Sequence, residues 1–578
     1  MSLKIFKKHK IKNVNSFVEP DEIFLDSENL ENFDSQQFEG RIEKQIHKKT
    51  VIFLGIFCVF FIGLFLIQLG RLQIQKGEAY LKRSENNTLT KQVIFADRGV
   101  IYDRNNVKLV WNEKGKDITA QATTTEIAKD FKMPTREYLS PGFSHILGYV
   151  SYPTQDKSGK FWQTEFIGIN GLEKQYNDKI KGENGSKTVE IDATGKVQSE
   201  NVVNSPKLGA DLVTTLNSRI QKQLFLFIKG LAESRSFVGG AGVIMNAQNG
   251  EILTSVSFPE YNSKILSLGK DTKTIKNYFS DKRKVFMNRT ISGLYTPGSV
   301  VKPFFALSAL TEGIIDPSKQ ILSTGSISIQ NPYFPDQTTV FKDWRVNGWT
   351  DMREAIAVSS DVYFYTIGGG YQGQKGLGIV NLGKYARMFG IGAGLTGIDL
   401  LGEKEGTIPS IEWKEENFPG DPWRIGNTYH TSIGQYGFQV TLMQMVRAVS
   451  ALANNGKLVT PHYILGDTEK EKQFSIIDIK KENFDVVHEG MRQAVTYGTA
   501  IALDVPYVSV AAKTGTAQLG VLKNKVNSWV MGFFPYENPK YTFVIMMESG
   551  SSTNSTGASS VMRQLLDWMS VNTPEYFK

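Results

Sequence analysis

The sequence predicts an α+β fold attached to a single membrane helix. Strand-like segments stand at both ends of the region after residue 206, and the long stretch between them is predominantly helical. Near the N-terminus, residues 50–70 carry no charge. Strands that flank a helical middle pair most simply in one antiparallel sheet with the helices packed against it. At 578 residues and 40% hydrophobic content, the chain is large enough for two or three domains with a substantial core.

The first element is the uncharged run TVIFLGIFCVFFIGLFLIQLG at residues 50–70. Its length matches the roughly 20 residues that cross the hydrocarbon core of a bilayer. A buried core helix is rarely apolar on every face. A cleaved signal peptide would have a shorter apolar region and a small-residue cleavage site, which the following residues do not offer. The run therefore predicts an uncleaved transmembrane anchor. It contains Cys58, the only cysteine, so no intrachain disulfide is possible.

Residues 1–49 precede the anchor and are predicted to form a cytoplasmic tail, because their nine basic and nine acidic side chains leave them polar and neutral. Lys and Arg are balanced close to both ends of the anchor, but long domains translocate largely regardless of such charges. We therefore expect a single-pass protein of the cytoplasmic membrane with its main part outside the cytoplasm. The formal net charge of +8 falls after the anchor, where a solubilising surface is the simplest explanation.

The composition divides the rest of the chain in two. Residues 71–205 are mixed and charged, and they predict a membrane-proximal domain. In residues 206–578 the periodicity sharpens: a short strand, a cap at Asn217 or Ser218 and an amphipathic helix come first. Asn249-Gly250 then predicts a β-hairpin. Near the end, VSVAAKTGTAQ, SWVMGFFPY and YTFVIMMES predict three strands, and ASSVMRQLLDWMS predicts a closing helix.

The stretch YTPGSVVKPF combines a hydroxyl, an amine and a proline. Residues after Gly298 predict a hydrophobic helix, in which Pro303 is tolerated because first-turn N–H groups lack internal partners. Ser299 then lies at the helix N-terminus, where the helix dipole favours an alkoxide or oxyanion. Lys302 lies about one turn later on the same face, and a neutral lysine there could take the serine proton. Taken alone, Ser299 could equally be an N-cap.

Two later segments contain further residues that a catalytic serine of this kind would require. AVSSDVYFY contains Ser359-Ser360-Asp361, and AAKTGTAQ contains Lys513, Thr514, Gly515 and Thr516 on a predicted strand. Each segment is a weak signal, but the three in this order form the pattern of penicillin-binding proteins and serine β-lactamases. The six histidines lack metal-ligand spacing, so neither a metal site nor a cofactor is predicted. Trp344, Trp349 and Trp423 are expected in the core rather than as substrate platforms.

The chain resembles the class B penicillin-binding proteins, the membrane-anchored D,D-transpeptidases of peptidoglycan synthesis. DRGVIYDRN (97–105) and GINGLEKQYNDKIKGENG (168–185) look like the two signatures of the family's pedestal domain. SIGQ (432–435) is similar to the segment before a helix beside the active site. The segment 341–365, FKDWRVNGWTDMREAIAVSSDVYFY, is most similar to penicillin-binding protein 2, the elongation enzyme. The resemblance implies a pedestal in residues 71–205 and a β-lactamase-like transpeptidase domain in residues 206–578.

The resemblance also implies a role for each motif residue. Ser299 would attack the penultimate D-Ala carbonyl of a stem peptide and release the terminal D-Ala, with Lys302 as general base. Ser359 would pass protons between Lys302 and the leaving amine, and Lys513 would set a positive field. The backbone N–H groups of Ser299 and Thr516 would form an oxyanion hole, in which each donor is typically worth about 3–4 kcal/mol of the barrier.

The resemblance assigns substrate binding to the third motif. The hydroxyls of Thr514 and Thr516 would hold the substrate's terminal carboxylate, and Gly515 would let the strand backbone approach the substrate. Asp361 departs from the Asn that usually ends the family's second motif. An anion there would stabilise protonated Lys302, against what a general base needs. Either Asp361 bonds mainly to Lys513, or it forms a resting ion pair with Lys302 that rearranges with substrate.

Two other functions share these motifs. A D,D-carboxypeptidase or β-lactamase would use the same triple for hydrolysis, although the pedestal signatures and the missing Glu-x-x-Leu-Asn loop of class A β-lactamases argue against it. A non-catalytic β-lactam sensor or scaffold would ordinarily couple to a larger cytoplasmic region than residues 1–49. The expected ligands are stem peptides ending in D-Ala-D-Ala and β-lactams, with no nucleic acid. Because no glycosyltransferase domain is evident, the resemblance implies a membrane-embedded glycosyltransferase partner of the shape, elongation, division and sporulation (SEDS) family.

Overall fold

The structure is a computed structural model that describes residues 48–80, 89–113, 133–156, 161–191, 197–330, 334 and 336–578. Nearly all of the predicted tail, residues 1–47, lies outside the described residues. The chain forms two compact units, residues 1–87 and residues 88–578, which are described separately.

The first unit contains the predicted anchor. A helix runs over Lys48–Gly70 and continues as a π-helical turn at Arg71–Gln75. Nearly all of its Phe, Ile, Leu and Val side chains are exposed. In the described part of the chain, Lys48–Gln75 is the one helix long and apolar enough to cross a membrane, with a mean hydropathy of 2.9 in its most apolar window. This confirms the sequence prediction of one long apolar helix at this position.

The N-terminal part of the second unit is built from small sheets. A three-stranded antiparallel sheet contains Leu89–Ile94, Gly185–Ile191 and Val197–Asn204. A four-stranded sheet follows the order Leu212–Val213, Ile101–Tyr102, Lys108–Glu113 and Thr135–Tyr138. Two strand pairs join Val150–Ser151 to Ile167–Gly168 and Thr154–Gln155 to Phe161–Gln163, and three short helices span Ser144–Leu147, Gly171–Gln175 and Asn177–Ile180.

A buried ionic cluster joins the two pedestal-like segments. The carboxylate of Glu173, in the second segment, lies 2.5 Å from Nε of Arg98 in the first segment and 2.8 Å from Nε of Arg136. All three side chains are at most 2% exposed. Arg98 also donates to the carbonyls of Phe166 and Glu173, at 3.0 and 2.8 Å. Because a buried charge is costly unless it is paired and hydrogen-bonded, the cluster fixes these segments against each other.

A five-stranded antiparallel sheet forms the centre of the larger part, as the sequence predicts. Its order is Ile252–Phe258, Gly239–Asn246, Tyr541–Ser551, Lys525–Phe534 and Ala511–Leu519. The predicted hairpin therefore pairs with the strands from the end of the chain, which confirms that the two ends of this region meet in one sheet. Side chains alternate between two buried faces: Val544 and Met546 pack into one hydrophobic cluster, whereas Ile545 packs into the other.

Helices cover both faces of the sheet. Ser218–Ser234 and the closing helix Ala558–Asn572 lie together against one face, and the Asn217 side chain caps the first of them, as predicted. The remaining helices are Ser263–Leu268, Thr272–Ser280, Lys302–Thr311, Met352–Ala357, Asp361–Gly369, Gly378–Met388, Ile411–Asn417, Ile425–Ser432, Leu442–Ala453, Thr468–Glu471 and Lys481–Thr496, with 3₁₀ turns at Gly298–Val301, Ile501–Leu503 and Pro574–Phe577. Three small strand pairs join Ile321–Ser323 to Gly348–Thr350, Ser326–Gln330 to Thr338–Lys342, and Lys457–Val459 to Phe474–Ile476.

Candidate active site

Ser299 lies in a tight turn at the start of a buried helix. Residues Gly298–Val301 form a 3₁₀ turn that leads into the helix Lys302–Thr311, with Pro303 in its first turn. Gly298 has φ 62°, a left-handed conformation that glycine adopts without steric cost. Ser299 is half-buried, whereas Val300, Val301 and Lys302 are buried. The predicted helix, with Ser299 at its N-terminal end, is confirmed.

Lys302 brings the first and second motifs together. Its Nζ donates to the carbonyl of Ser359 at 2.8 Å, to Ser359 Oγ at 3.3 Å and to Asp361 Oδ1 at 2.6 Å. The side chain of Lys302 is 0% exposed and that of Asp361 is 17% exposed. The Phe364 ring lies beside the ammonium group, with its centroid 5.3 Å from Nζ. The ammonium thus uses its three donors on the second motif.

The second motif has an unusual backbone. Ser359 has φ 59°, in the left-handed region that is unfavourable for a residue with a Cβ. Ser360 caps the following helix, Asp361–Gly369, by accepting a hydrogen bond from the N–H of Tyr363 at 3.3 Å. Asp361 is therefore the first helical residue, where the helix dipole favours its carboxylate. The strained serine and the capped helix together direct the carbonyl of Ser359 and the carboxylate of Asp361 at Lys302.

The charge state of Asp361 reflects opposing influences. Burial raises its pKa above the ordinary value, the adjacent Lys302 lowers it, and the nearby Asp343 raises it again. The net effect is that the pKa of Asp361 is raised. Of the two arrangements that the sequence left open, the structure has the ion pair with Lys302. Within the described residues, no carboxylate lies within 4.0 Å of Lys513 Nζ.

The third motif lies on the edge strand Ala511–Leu519 of the central sheet, next to the turn that carries Ser299. A Cβ at Gly515 would stand 3.0 Å from Val300 Cγ1, 3.1 Å from the carbonyl oxygen of Pro297 and 3.2 Å from Val300 N. A Cβ at Gly298 would stand 3.3 Å from the carbonyl oxygen of Thr516. Gly515 therefore permits close contact with the turn that carries Ser299, a contact that the sequence did not indicate.

Lys513 is fully buried and donates one hydrogen bond, to the carbonyl of Thr514 at 2.9 Å. Burial, reinforced by the charge of Lys302, lowers its pKa well below the ordinary value of 10.5, and Asp361 opposes this only in part. These surroundings disfavour the positive charge expected of Lys513. A carboxylate placed beside it would favour that charge again.

The two threonines of the third motif differ in exposure. Thr514 is half-buried, and its hydroxyl donates to Thr499 Oγ1 at 2.8 Å. Thr499 belongs to the loop after the helix Lys481–Thr496, and its N–H donates to the carbonyl of Ala357 at 3.1 Å, just before the second motif. Thr516 is exposed. The motif thus presents one anchored hydroxyl and one exposed hydroxyl on the same face of a strand.

The SIGQ segment packs directly behind Ser299. The N–H of Gly298 donates to the carbonyl of Gly434 at 3.0 Å, and a Cβ at Gly434 would lie 2.3 Å from the carbonyl oxygen of Gly298. Gly434 has φ 74°. Ser432 is buried against Gly368 in the helix Asp361–Gly369. The expectation that this segment borders the motif residues agrees with these contacts.

Sequence reasoning missed Asp343, which accepts hydrogen bonds from Ser360 Oγ at 2.8 Å and from the N–H of Val362 at 3.1 Å. Its isolated position in a loop gave no periodic signal. The expectation that Trp344 and Trp349 lie in the core is wrong, because they are 55% and 63% exposed. Trp344 follows the strand Thr338–Lys342 and Trp349 lies in the strand Gly348–Thr350, and each of these strands belongs to a two-stranded sheet. Trp423 is half-buried. Among the described residues, no group of three His, Cys, Asp or Glu side chains could hold a metal ion.

The arrangement has the parts required for acyl transfer through a serine. A half-buried hydroxyl stands at a helix N-terminus, and the lysine one turn later is already linked to a second serine and a carboxylate. A strand with a buried lysine and two hydroxyls runs alongside. Hydrogen-bond donors at such a helix start are suited to an oxyanion.

Comparison with known families gives two matches. Residues 240–567 match the penicillin binding protein transpeptidase domain, and residues 129–214 match the penicillin-binding protein dimerisation domain. The first match covers more than half of the chain and includes all three motifs.

Relatives and solved structures agree with these matches. The peptidoglycan D,D-transpeptidase MrdA of Escherichia coli strain K12 is 27% identical over 617 residues, covering 90% of this chain and 94% of the relative. MrdA of Haemophilus influenzae is 30% identical over 485 residues, covering 78% of this chain and 71% of the relative. The penicillin-binding protein PBP2 of Helicobacter pylori, solved in complex with MreC, is similar with a TM-score of 0.67 and 25% identity, covering 84% of this chain and 99% of that chain.

Proposed function

The chain belongs to the class B penicillin-binding proteins and is a peptidoglycan D,D-transpeptidase, and from this premise we propose that Ser299 is its nucleophile. The family works through a serine acyl-enzyme and binds penicillin. The observation that carries the assignment of Ser299 is the link from Lys302, one turn later, to Ser359 and Asp361 at 2.6–3.3 Å. A second Ser-x-x-Lys sequence, SLGK at 267–270, lacks such a link, because Lys270 is exposed and the Ser267 hydroxyl contacts Tyr138 OH and the N–H of Val150.

The first half-reaction is acylation. Ser299 Oγ attacks the carbonyl carbon of the penultimate D-Ala while Lys302, in its neutral form, accepts the hydroxyl proton. The N–H groups of Ser299 and Thr516 stabilise the oxyanion. Ser359, within hydrogen-bond distance of Lys302, returns the proton to the leaving amine as the C–N bond breaks and D-Ala departs.

The second half-reaction transfers the acyl group. The amine of a neighbouring stem peptide attacks the ester carbonyl, gives up a proton to Lys302, and displaces Ser299 Oγ, which takes that proton back. Splitting the amide exchange into two steps lowers each barrier. Thr514, Thr516 and Lys513 bind the terminal carboxylate of the donor peptide, and that carboxylate stabilises the charged form of the lysine, which its surroundings otherwise disfavour.

The ion pair between Lys302 and Asp361 is the resting state of this site. An ammonium has no lone pair, so Lys302 becomes a base only after it loses a proton. We propose that substrate binding rearranges the pair, because a carboxylate arriving at Lys513 changes the charge balance around Asp361.

The cellular setting follows from the family and from the anchor helix. We propose a single-pass protein of the cytoplasmic membrane with its N-terminus in the cytoplasm and residues 71–578 outside, divided into a pedestal and a transpeptidase domain near residue 206. The similarity to MrdA and PBP2 supports a role in cell-wall elongation and cell shape. The proposed partners are a SEDS-family glycosyltransferase, which supplies glycan strands, and an MreC-like protein.

A labelling experiment tests the nucleophile. Fluorescent penicillin should label the wild-type protein covalently, and Ser299→Ala should abolish labelling while circular dichroism and thermal unfolding stay unchanged. Ser267→Ala is the matched control and should label normally. Label that remains on Ser299→Ala would refute the assignment. A long-lived acyl-enzyme is expected, whereas release of the label within seconds would favour the hydrolase alternative.

A further inference from the structure

The loop at residues 343–347, here called the clamp loop, connects the strands Thr338–Lys342 and Gly348–Thr350. Its first residue, Asp343, is held by a backbone hydrogen bond from its N–H to the carbonyl of Gly325 at 2.8 Å. The carboxylate of Asp343 accepts five hydrogen bonds: from Ser323 Oγ at 3.0 Å, Trp344 N at 2.8 Å, Asn347 Nδ2 at 3.1 Å, Ser360 Oγ at 2.8 Å and Val362 N at 3.1 Å. Four of these reach the same oxygen, Oδ2.

Two of the five donors flank Asp361 in sequence. Ser360 donates its hydroxyl proton to Asp343, which leaves the Ser360 lone pair free to accept from the N–H of Tyr363. Val362 donates a first-turn N–H that has no partner within its own helix. Asp343 therefore caps the helix Asp361–Gly369 by accepting from the N–H of Val362. It also orients the Ser360 hydroxyl, which is the N-cap of the same helix.

The clamp loop also holds the other side of the second motif. Trp344 Nε1 donates to the carbonyl of Val358 at 3.1 Å. Ser359 lies between Val358 and Ser360, so the residues on both sides of it are hydrogen-bonded to the clamp loop. Its left-handed φ of 59° is unfavourable for a residue with a Cβ, and such a conformation persists only where the surroundings impose it. The carbonyl and the hydroxyl of this strained serine are two of the three acceptors of Lys302.

We propose that Asp343 and Trp344 are positioning residues that hold Ser359 in its left-handed conformation and thereby keep the second motif on Lys302. The proposal rests on the proposed roles of Ser299, Lys302 and Ser359. Neither clamp residue touches the reacting atoms. Both act through the backbone of residues 358–362.

Three variants separate hydrogen bonding from charge. Asp343→Ala removes all five acceptor contacts and should lower the rate constant of penicillin acylation about 100-fold, the scale of a misplaced catalytic group. Asp343→Asn can place its amide oxygen where Oδ2 stands and keep four of the five contacts, so the loss should stay within about tenfold. Trp344→Phe keeps a ring but removes the Nε1–H, and about a tenfold loss is expected. Asp336→Ala, at an exposed position in the turn before strand Thr338–Lys342, is the control and should match the wild type.

Two readouts distinguish positioning from general stability. Stopped-flow kinetics separate the affinity of the non-covalent penicillin complex from the acylation step, and only the acylation step should fall. The charged groups that act on Asp361 are Lys302, Asp343 and Lys513. Its pKa is raised mainly by burial and further by the Asp343 charge. Asp343→Asn removes this negative charge from beside the Lys302–Asp361 pair and leaves the Lys302 ammonium less stabilised, so the acid limb of the acylation profile should move to lower pH.

Acylation at the wild-type rate in both Asp343→Ala and Trp344→Phe would overturn the proposal, as would a loss confined to non-covalent affinity. Should Asp343→Ala fail to fold, Trp344→Phe and Asp343→Asn carry the same test, and wild-type rates in both, with an unmoved acid limb in Asp343→Asn, would overturn it. Label on Ser299→Ala would instead refute the nucleophile. If Ser299→Ala is unlabelled and the clamp-loop variants react normally, the positioning role of Asp343 and Trp344 is refuted and the assignment of Ser299 stands.

Discussion

At the scale of residues, the main feature of the site is that all three hydrogen-bond donors of the Lys302 ammonium group are already used. Its ammonium donates to two atoms of Ser359 and one of Asp361, and it is fully buried. Within the described residues, no hydrogen bond joins it to Ser299. Buried ion pairs of this kind are expensive to break by removing one partner, so the side chain at position 361 controls how readily the lysine is freed.

Replacement of Asp361 tests whether its charge or its hydrogen bonding matters. Asp361→Asn keeps one acceptor oxygen for Lys302 and should keep penicillin acylation within about tenfold, a barrier change of roughly 1.4 kcal/mol. Asp361→Leu has similar bulk but no acceptor, and should lose far more. The Asp361 carboxylate holds Lys302 as an ammonium, which cannot accept the serine proton. Asp361→Asn removes that anion, so Lys302 should reach its neutral form at lower pH and the optimum of acylation should move to lower pH. The measurement is the second-order acylation rate from about pH 5 to 10. Equal damage from Asn and Leu would mean that the charge is essential.

The sequence predicts residue types at this scale better than their partners. Ser299, Lys302 and the residues of the other two motifs could be chosen from their order and flanks. Whether Asp361 pairs with Lys302 or with Lys513 could not, because the motifs lie far apart in the chain and their distances depend on tertiary packing. The pKa of Lys513 was equally inaccessible, since burial sets it and no local pattern reports that burial.

At the scale of elements, glycines let three segments meet around Ser299. Gly298 in the nucleophile turn touches Gly434 of the SIGQ segment and the strand of the third motif, while Gly515 of that strand touches Val300 and Pro297. Backbones can approach this closely only where no Cβ intervenes. The sequence predicted each element, but not that the turn would be enclosed on two sides. The loop that carries Asp343 has no periodicity from which its contacts could be read.

Alanine substitutions test this glycine packing. Gly434→Ala places a Cβ 2.3 Å from the carbonyl oxygen of Gly298 and forces a side chain onto φ 74°, so acylation should fall about 100-fold. Gly515→Ala makes its nearest contact at 3.0 Å, with Val300 Cγ1, and about a tenfold loss is expected. Gly230→Ala is the control, because its Cβ meets no described atom within 4 Å apart from its own helix. That variant should acylate normally and gain about 0.5–1 kcal/mol in stability. A larger loss of acylation rate in Gly515→Ala than in Gly434→Ala would contradict this packing.

At the scale of the whole molecule, the residues of the proposed site all lie within the second compact unit. All three motifs belong to residues 88–578, in which the hairpin near residue 249 and the strands near the C-terminus share one sheet. The pedestal-like part is joined to the sheet-bearing part by buried contacts, such as Ser218 Oγ with Asp103 Oδ2 at 2.7 Å. The α+β class, the paired chain ends and the anchor were all predictable, since they follow from hydrophobic patterns. The links between the two parts depend on single polar side chains and were not.

Removal of the anchor tests this separation. A protein that lacks residues 1–70 should be soluble without detergent and should react with fluorescent penicillin at a rate within about twofold of the full chain, well under the tenfold that corresponds to 1.4 kcal/mol. The physical reason is that every motif contact described above lies within residues 88–578. A truncated protein that is folded by circular dichroism yet unreactive would show that residues 1–70 shape the site.

Mass spectrometry can show whether Ser299 carries the acyl group. The protein is incubated with penicillin, its intact mass is measured, and the adduct is located by proteolysis and peptide sequencing. One equivalent of penicilloyl adduct is expected, attached to Ser299 in the peptide that contains Thr296 to Lys302. An adduct on another residue, or a folded wild-type protein that takes up no penicillin, would contradict it.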